Sequence, residues 1–268
     1  MVIQRKLVAA AEVIIVVLFA AFLFRLLSAT PLHQWELGIP GGQKFFAVEY
    51  AAVLGFVLCL LALTHRSYKA YGINFEHPKF LVTVVAVALI PFLVLGATLS
   101  FVPWRQWSGA IIVSLVSLGN LVIIAWLLRK RPTPREALTL GALFILAPNA
   151  LISLATPIGP VILKTLYFYL LVGPAEEILF RGYVQSRINE VWGRPYRFLG
   201  VSWGWGIIFG AILFGLWHFF LMPAVPGIWK QVLWTSFAGL TLGYLREKSA
   251  SIVPSSILHS VMNYIPFS

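Results

Sequence analysis

The chain has 268 residues, 60% of them hydrophobic and only 11% charged, at a mean hydropathy of +0.89. A soluble domain carries about 25% charged residues, so the composition excludes a water-soluble globular fold. It indicates an all-α, polytopic transmembrane bundle of about eight to nine spans. Twenty Lys and Arg stand against nine Glu and no Asp, a net charge of +11, and the placement of those charges decides what they meet.

Arg5 and Lys6 lead an apolar run at 7–27, which is long for a cleavable signal and reads as a first span. Further runs at 45–64, 80–102, 110–128, 137–156, 163–185, 204–222, 228–246 and 251–267 complete a predicted set of nine. The single Cys59 excludes an intrachain disulfide and reads as a small packing residue. The fifth run has a helix start: Thr133 caps, Pro134 takes the first helical position and Glu136 completes a capping box. Trp104, Trp107, Trp203, Trp205 and Trp229 fall near predicted span ends, as an aromatic belt requires. The longest predicted loop, 186–203, is basic and aromatic.

With the N-terminus in the cytoplasm, fifteen basic residues sort to the inside. They are Arg5, Lys6, Arg66, Lys69, Lys79, Arg129, Lys130, Arg131, Arg135, Arg181, Arg187, Arg194, Arg197, Arg246 and Lys248. Arg25, Lys44, Arg105, Lys164 and Lys230 sort to the outside. This is the positive-inside asymmetry, and it accounts for the net charge through membrane lipid with no nucleic-acid partner. The RKRPTPR loop reads as a topology anchor beside anionic lipid. The expected location is a bacterial cytoplasmic membrane, multi-pass, with the N-terminus cytoplasmic.

The chain divides by content. Spans before residue 157 carry few polar groups, whereas most spans after it carry a polar constellation. Intramembrane ionisable residues are functional candidates, and the residue inventory narrows the chemistry. An aspartyl dyad is impossible without Asp. No histidine is followed by Glu, so the HExxH zinc helix is absent. In GPAEEILFRG, adjacent Glu176 and Glu177 point about 100° apart on a helix. Glu177 and Arg181 share a face at i,i+4 and neutralise each other, which leaves Glu176 as a spare carboxylate suited to a general base. Gly173 and Pro174 weaken the helix just before it. Phe214 and His218 stand at i,i+4 in the seventh run, and His259 and Asn263 at i,i+4 in the ninth. Separately, the charged trio reads equally well as an interhelical salt-bridge network, His218 as a packing residue, and His259 with Asn263 as an interhelical contact. Together they supply a base, an imidazole to hold water and a donor pair for an oxyanion, the inventory for hydrolysing an amide with water. Glu12, Arg25, Glu49, Asn120 and Asn149 read as interhelical or interfacial contacts without a catalytic role. On these boundaries Glu176 lies near mid-bilayer and His218 nearer the outer end, so either the seventh span passes Met222 or its edges differ.

The ordered set EExxxR (Glu176, Glu177, Arg181), FxxxH (Phe214, His218) and HxxxN (His259, Asn263) resembles the CPBP family of type II CAAX prenyl endopeptidases, also called ABI. The resemblance divides the chain into N-terminal transmembrane helices, 1–157, and CPBP-like core helices, 158–268. It implies an intramembrane glutamic endopeptidase acting on a peptide or lipidated protein substrate. Glu176 and His218 would activate water, His259 and Asn263 would bind the oxyanion, and Glu177, Arg181 and Phe214 would support the site. No cofactor is expected. The alternative is a zinc-dependent version of the same protease with Glu176, His218 and His259 as ligands, or a non-enzymatic bacteriocin-immunity or peptide-binding membrane protein. A transporter is disfavoured because the chain shows no pseudo-repeat halves.

Overall fold

The structure, a computed structural model, describes residues 2–38, 45–99, 102–129, 158–222 and 224–264. The predicted fifth span with its capping box, and Asn149, lie outside the described residues. Helix α1 (Val2–Ser28) is followed by a short α2 (Pro31–Leu37), then α3 (Ala47–Leu63), α4 (Pro78–Leu99) and α5 (Trp107–Arg129). Helix α6 (158–192) runs without a break through α-helical and π-helical turns. Strands β1 (Tyr196–Phe198) and β2 (Val201–Trp203) precede α7 (Trp205–Leu221), α8 (Ile228–Ser249) and α9 (Val253–Tyr264).

The structure is nearly all-α. Two helices, α1 and α5, are long and apolar enough to cross a membrane by length and composition alone, while α3, Pro78–Phe92 of α4, and α7 are apolar but shorter. Their outward faces carry large apolar side chains, such as Ile15 and Phe22 on α1 and Leu115 and Trp126 on α5, which suits hydrocarbon rather than water as solvent. Cys59 also faces outward rather than packing. The interior joins Val13, Val17 and Phe24 of α1 to Val53, Val57 and Leu61 of α3 and to Leu179, Phe180 and Trp217. Helices α7 and α8 form the most extensive pair, and α5 packs on α8.

Several predicted boundaries change. The loop expected over 186–203 is mostly ordered: α6 continues to Trp192, and a two-stranded hairpin pairs Tyr196 with Trp203 and Phe198 with Val201. Leu199 and Gly200 turn that hairpin, both at positive φ, the geometry of a tight two-residue turn whose twist matches the strands. Within the expected last span, 251–267, the described residues form a helix over Val253–Tyr264. Helix α7 ends at Leu221 with His218 in its last turn, so the seventh span does not run past Met222.

Helix α6 is unusual where the charged motif lies. π-Helical turns Tyr167–Val172 and Ile178–Val184 flank the α-helical Gly173–Glu177. The Gly173 N–H donates to Phe168 O in the wider π pattern, and Pro174 has no N–H with which to continue it. A hydroxyl from α9 completes the arrangement: Ser260 Oγ donates to Phe168 O at 2.8 Å. Such π turns recur at functional sites because they rotate side chains out of the ordinary helical register. Any Cβ at Gly173 would strike Ser260 Oγ and lie 2.8 Å from Ser256 O, so glycine is what allows α9 to close on the motif.

At one end of the bundle the basic residues are paired. Glu12 meets Arg66 Nη1 at 2.6 Å and Arg187 Nε at 2.9 Å, and accepts from Tyr183 Oη at 2.6 Å. Glu247 accepts from Gln185, Asn189 and Arg194, and Arg246 donates to Ala70 O. Glu12 is thus the interhelical contact that its placement suggested.

Gly173→Val should destabilise the protein by about 1–3 kcal/mol, the usual cost of overpacking. The check is a lower melting temperature in detergent with the helical signal retained.

Candidate active site

The site is assembled from α6 outward. Glu176, Glu177 and Arg181 are all buried, Arg181 completely. Arg181 Nη1 donates to Glu177 Oε1 at 2.8 Å across one turn, as the i,i+4 spacing predicts. Its second nitrogen, Nη2, donates to Gly239 O on α8 at 3.2 Å. The guanidinium also stacks over the Phe214 ring, 4.4 Å from its centroid. A buried cation is tolerated only when its donors are matched and its face is covered, and here a carboxylate, a carbonyl and an aromatic ring do so from three helices.

Phe214 in turn explains its place in the FxxxH motif. Its ring contacts the His259 ring edge-on at 5.2 Å and 90°, and the His218 ring edge-on at 5.3 Å and 85°. One aromatic ring therefore touches the cation and both imidazoles. His259 Nδ1 lies 3.0 Å from Glu177 Oε1. A carboxylate only accepts, so Nδ1 carries the proton and Nε2 is turned the other way. That Nε2 lies 3.6 Å from Glu176 Oε2. His259 thus stands between the two glutamates. His218 is fixed differently: its Nδ1 donates to Phe214 O at 3.0 Å, which leaves the Nε2 lone pair of the neutral ring free.

Glu176 is not without partners. Its Oε1 accepts from Tyr50 Oη at 2.9 Å and from Trp217 Nε1 at 3.0 Å. Its Oε2 has no hydrogen-bond partner although it is buried. The two oxygens of one carboxylate therefore have different environments, one saturated and one open toward His259.

A cavity of about 250 Å³ opens beside these groups, lined by Phe214, His218, His259 and Asn263 with Trp104, Trp234 and Met262. Asn263 is exposed at its edge, four residues beyond His259 on α9. Glu176 does not line this cavity; it sits behind His259. Gln231 and Thr235 of α8 also reach the cavity. Arg246, in the paired basic cluster, is 15 residues beyond Gln231 on the same helix, about 22 Å away. The cavity thus opens at the end of the bundle opposite that cluster.

All three motifs fall within one segment. Residues 158–265 match the type II CAAX prenyl endopeptidase Rce1-like family. No curated protein and no solved structure matches the chain. The Rce1-like segment carries every residue that the sequence nominated, and the structure brings Glu176, Glu177, Arg181, Phe214 and His259 into direct contact. His218 and Asn263 join them through the shared ring and the cavity.

Sequence reasoning missed Tyr50 and Trp217. Trp217 immediately precedes His218, and Tyr50 immediately follows Glu49; each is an aromatic with a polar tip inside an apolar run, a group that seeks a partner when buried. Tyr50 lies on α3, before the Rce1-like segment, so the N-terminal helices contribute a contact to the site. Among the described residues, one group of three acidic or histidine side chains offers ligand atoms all within 4.8 Å of one another, and it is His33, Glu36 and Glu49.

Arg181→Ala should cost about 3–5 kcal/mol, because it strands the buried Glu177 carboxylate. Arg181→Lys should recover only part of that loss, since lysine lacks the planar fork that serves Glu177 and Gly239 together. Melting temperatures of the three proteins in the same detergent provide the check.

Proposed function

We propose that this protein is an intramembrane endopeptidase that hydrolyses a peptide bond near the membrane with water activated at Glu176. The observation that carries the reading is the divided carboxylate: Glu176 Oε1 is held by Tyr50 and Trp217, while buried Oε2 lacks a partner and faces His259 Nε2 at 3.6 Å. A general base needs an oriented, uncommitted oxygen; Oε2 is uncommitted and is oriented by the two bonds to Oε1, and the mechanism requires water to pass His259 from the cavity to reach it.

In this mechanism the neutral His218 ring accepts a hydrogen bond from the water at Nε2, and Glu176 Oε2 takes the water proton. The oxygen attacks the scissile carbonyl carbon, and the carbonyl electron pair becomes the oxyanion. His259 Nε2–H and Asn263 Nδ2 donate to that oxyanion. Glu177, facing Nδ1, holds the His259 ring so that Nε2 is presented to the oxyanion. Collapse of the intermediate breaks the carbon–nitrogen bond, and the proton held by Glu176 passes to the leaving amine. Arg181 and Phe214 hold the groups in register and do not exchange protons.

The cavity is below the roughly 300–1,000 Å³ usual for a ligand pocket, so it suits the scissile bond and its close neighbours rather than a whole lipid chain. A prenyl or acyl group on a substrate would lie against the apolar outer surface. On the charge-based topology, the cavity end of the bundle faces away from the cytoplasm. That arrangement favours a secreted or lipid-anchored precursor as substrate over a cytoplasmic prenylated protein.

Glu176→Ala should abolish cleavage while leaving folding and insertion intact. His259→Ala and Asn263→Ala should each lower turnover by roughly 10²–10³, as loss of an oxyanion donor does. The check is mass spectrometry of membrane peptides from cells expressing each variant, and full cleavage by Glu176→Ala would contradict the reading.

A further inference from the structure

A second polar cluster lies outside the Rce1-like segment, where α2 meets the start of α3. His33, Glu36 and Glu49 are all buried, and Glu49 is completely so. His33 Nδ1 is 3.0 Å from Glu49 Oε1 and 3.6 Å from Glu36 Oε2. Yet His33 Nδ1, Glu36 Oε2 and both oxygens of Glu49 make no hydrogen bond. One ligand atom from each of the three residues lies within 4.8 Å of the others, and hydrogen bonds among them do not satisfy these buried groups. Even with the imidazole protonated, two carboxylates and one imidazolium leave a net negative charge in an apolar surrounding, and such a charge is costly unless matched.

The dimensions suit a cation at that point. Ligand atoms on a tetrahedral ion at about 2.0–2.1 Å stand roughly 3.4 Å apart, and the two separations from Nδ1 bracket this value. The side chains are also oriented by neighbours, as metal ligands are. Glu36 Oε1 accepts the Ala47 N–H at 2.6 Å, which turns Oε2 toward the cluster. The His33 ring stacks on Phe46 at 4.8 Å and 14°, which fixes its plane. One imidazole nitrogen with two carboxylate oxygens suits a transition metal better than magnesium or calcium, which prefer all-oxygen shells.

We infer that His33, Glu36 and Glu49 form a divalent transition-metal site, of the type that takes zinc, which fastens α2 to the first turn of α3. The site is structural with respect to the proposed chemistry. Glu49 adjoins Tyr50, whose hydroxyl bonds Glu176, and Phe46 N–H donates to Tyr167 Oη on α6. Metal binding therefore anchors the turn of α3 that reaches the Rce1-like segment.

The test uses the full chain, purified in detergent, stripped with chelator and titrated with zinc. It reads bound zinc per chain and melting temperature, neither of which depends on proteolysis. The expected result is one zinc per chain with a raised melting temperature. His33→Ala should weaken binding by more than the roughly 10–100-fold that loss of a supporting partner costs. Glu49→Gln, close in shape to the native side chain, provides the same reading if His33→Ala does not fold. A Glu176→Ala, His218→Ala double variant should bind zinc like the native chain. Absence of zinc binding, undiminished binding by either His33→Ala or Glu49→Gln, or loss of binding in the double variant would each overturn the inference.

Discussion

Glu177 Oε1 accepts from Arg181 on its own helix and faces His259 Nδ1 from α9. Both contacts are made between buried groups, where an unmatched carboxylate, guanidinium or imidazole would each be prohibitive. The rest of the site follows from satisfying them together. Arg181 must also be covered, which Phe214 does from α7, and Gly239 must leave room on α8 for the second guanidinium nitrogen. His259 is held with its Nδ1 proton toward Glu177, so its Nε2 faces Glu176. A charge cluster that resembles a simple salt bridge in sequence thereby sets the orientation of the imidazole that faces the neighbouring carboxylate.

The division between the two glutamates was legible in the sequence because helical spacing is local. Residues 177 and 181 meet on any helix, and the intervening π turn did not prevent it. The i,i+4 pairs in α7 and α9 were legible for the same reason, and their common environment could be guessed from complementary chemistry. What local spacing could not show was which distant helix supplies the partners of Glu176. Tyr50 is 126 residues away in sequence, on a span that carries none of the motif residues. Trp217 was hidden by its neighbour, since a tryptophan beside a histidine in an apolar run reads as membrane packing. Likewise the sequence reads Glu49 only as an interhelical or interfacial contact, because its companions His33 and Glu36 lie on a short helix that hydropathy alone does not reveal.

The fold was legible at the level of its apolar helices and less so at their ends. Of the basic residues that the positive-inside count assigns to the cytoplasm, the structure pairs Arg66 and Arg187 with Glu12 and Arg194 with Glu247, and places Arg181 in the buried site. Helix α6 exceeds its predicted length because its last turns are polar and bond to α1 and α8 rather than facing hydrocarbon. In helix α9, Ser256 and Ser260 close on Gly173, and His259 and Asn263 reach the cavity. A hydropathy window sees apolar length, whereas the end of α6 is set by polar contacts with other helices.

The central claim is that Glu176 and Glu177, adjacent in sequence, have separate roles: one performs chemistry and the other holds structure. The most direct measurement compares Glu176→Gln with Glu177→Gln, recording melting temperature and single-turnover cleavage of a membrane peptide substrate on the same preparations. The account predicts that Glu176→Gln melts near the native temperature and does not cleave, while Glu177→Gln melts clearly lower because Arg181 loses its charge partner. Equal melting temperatures for the two variants, or cleavage by Glu176→Gln, would contradict it.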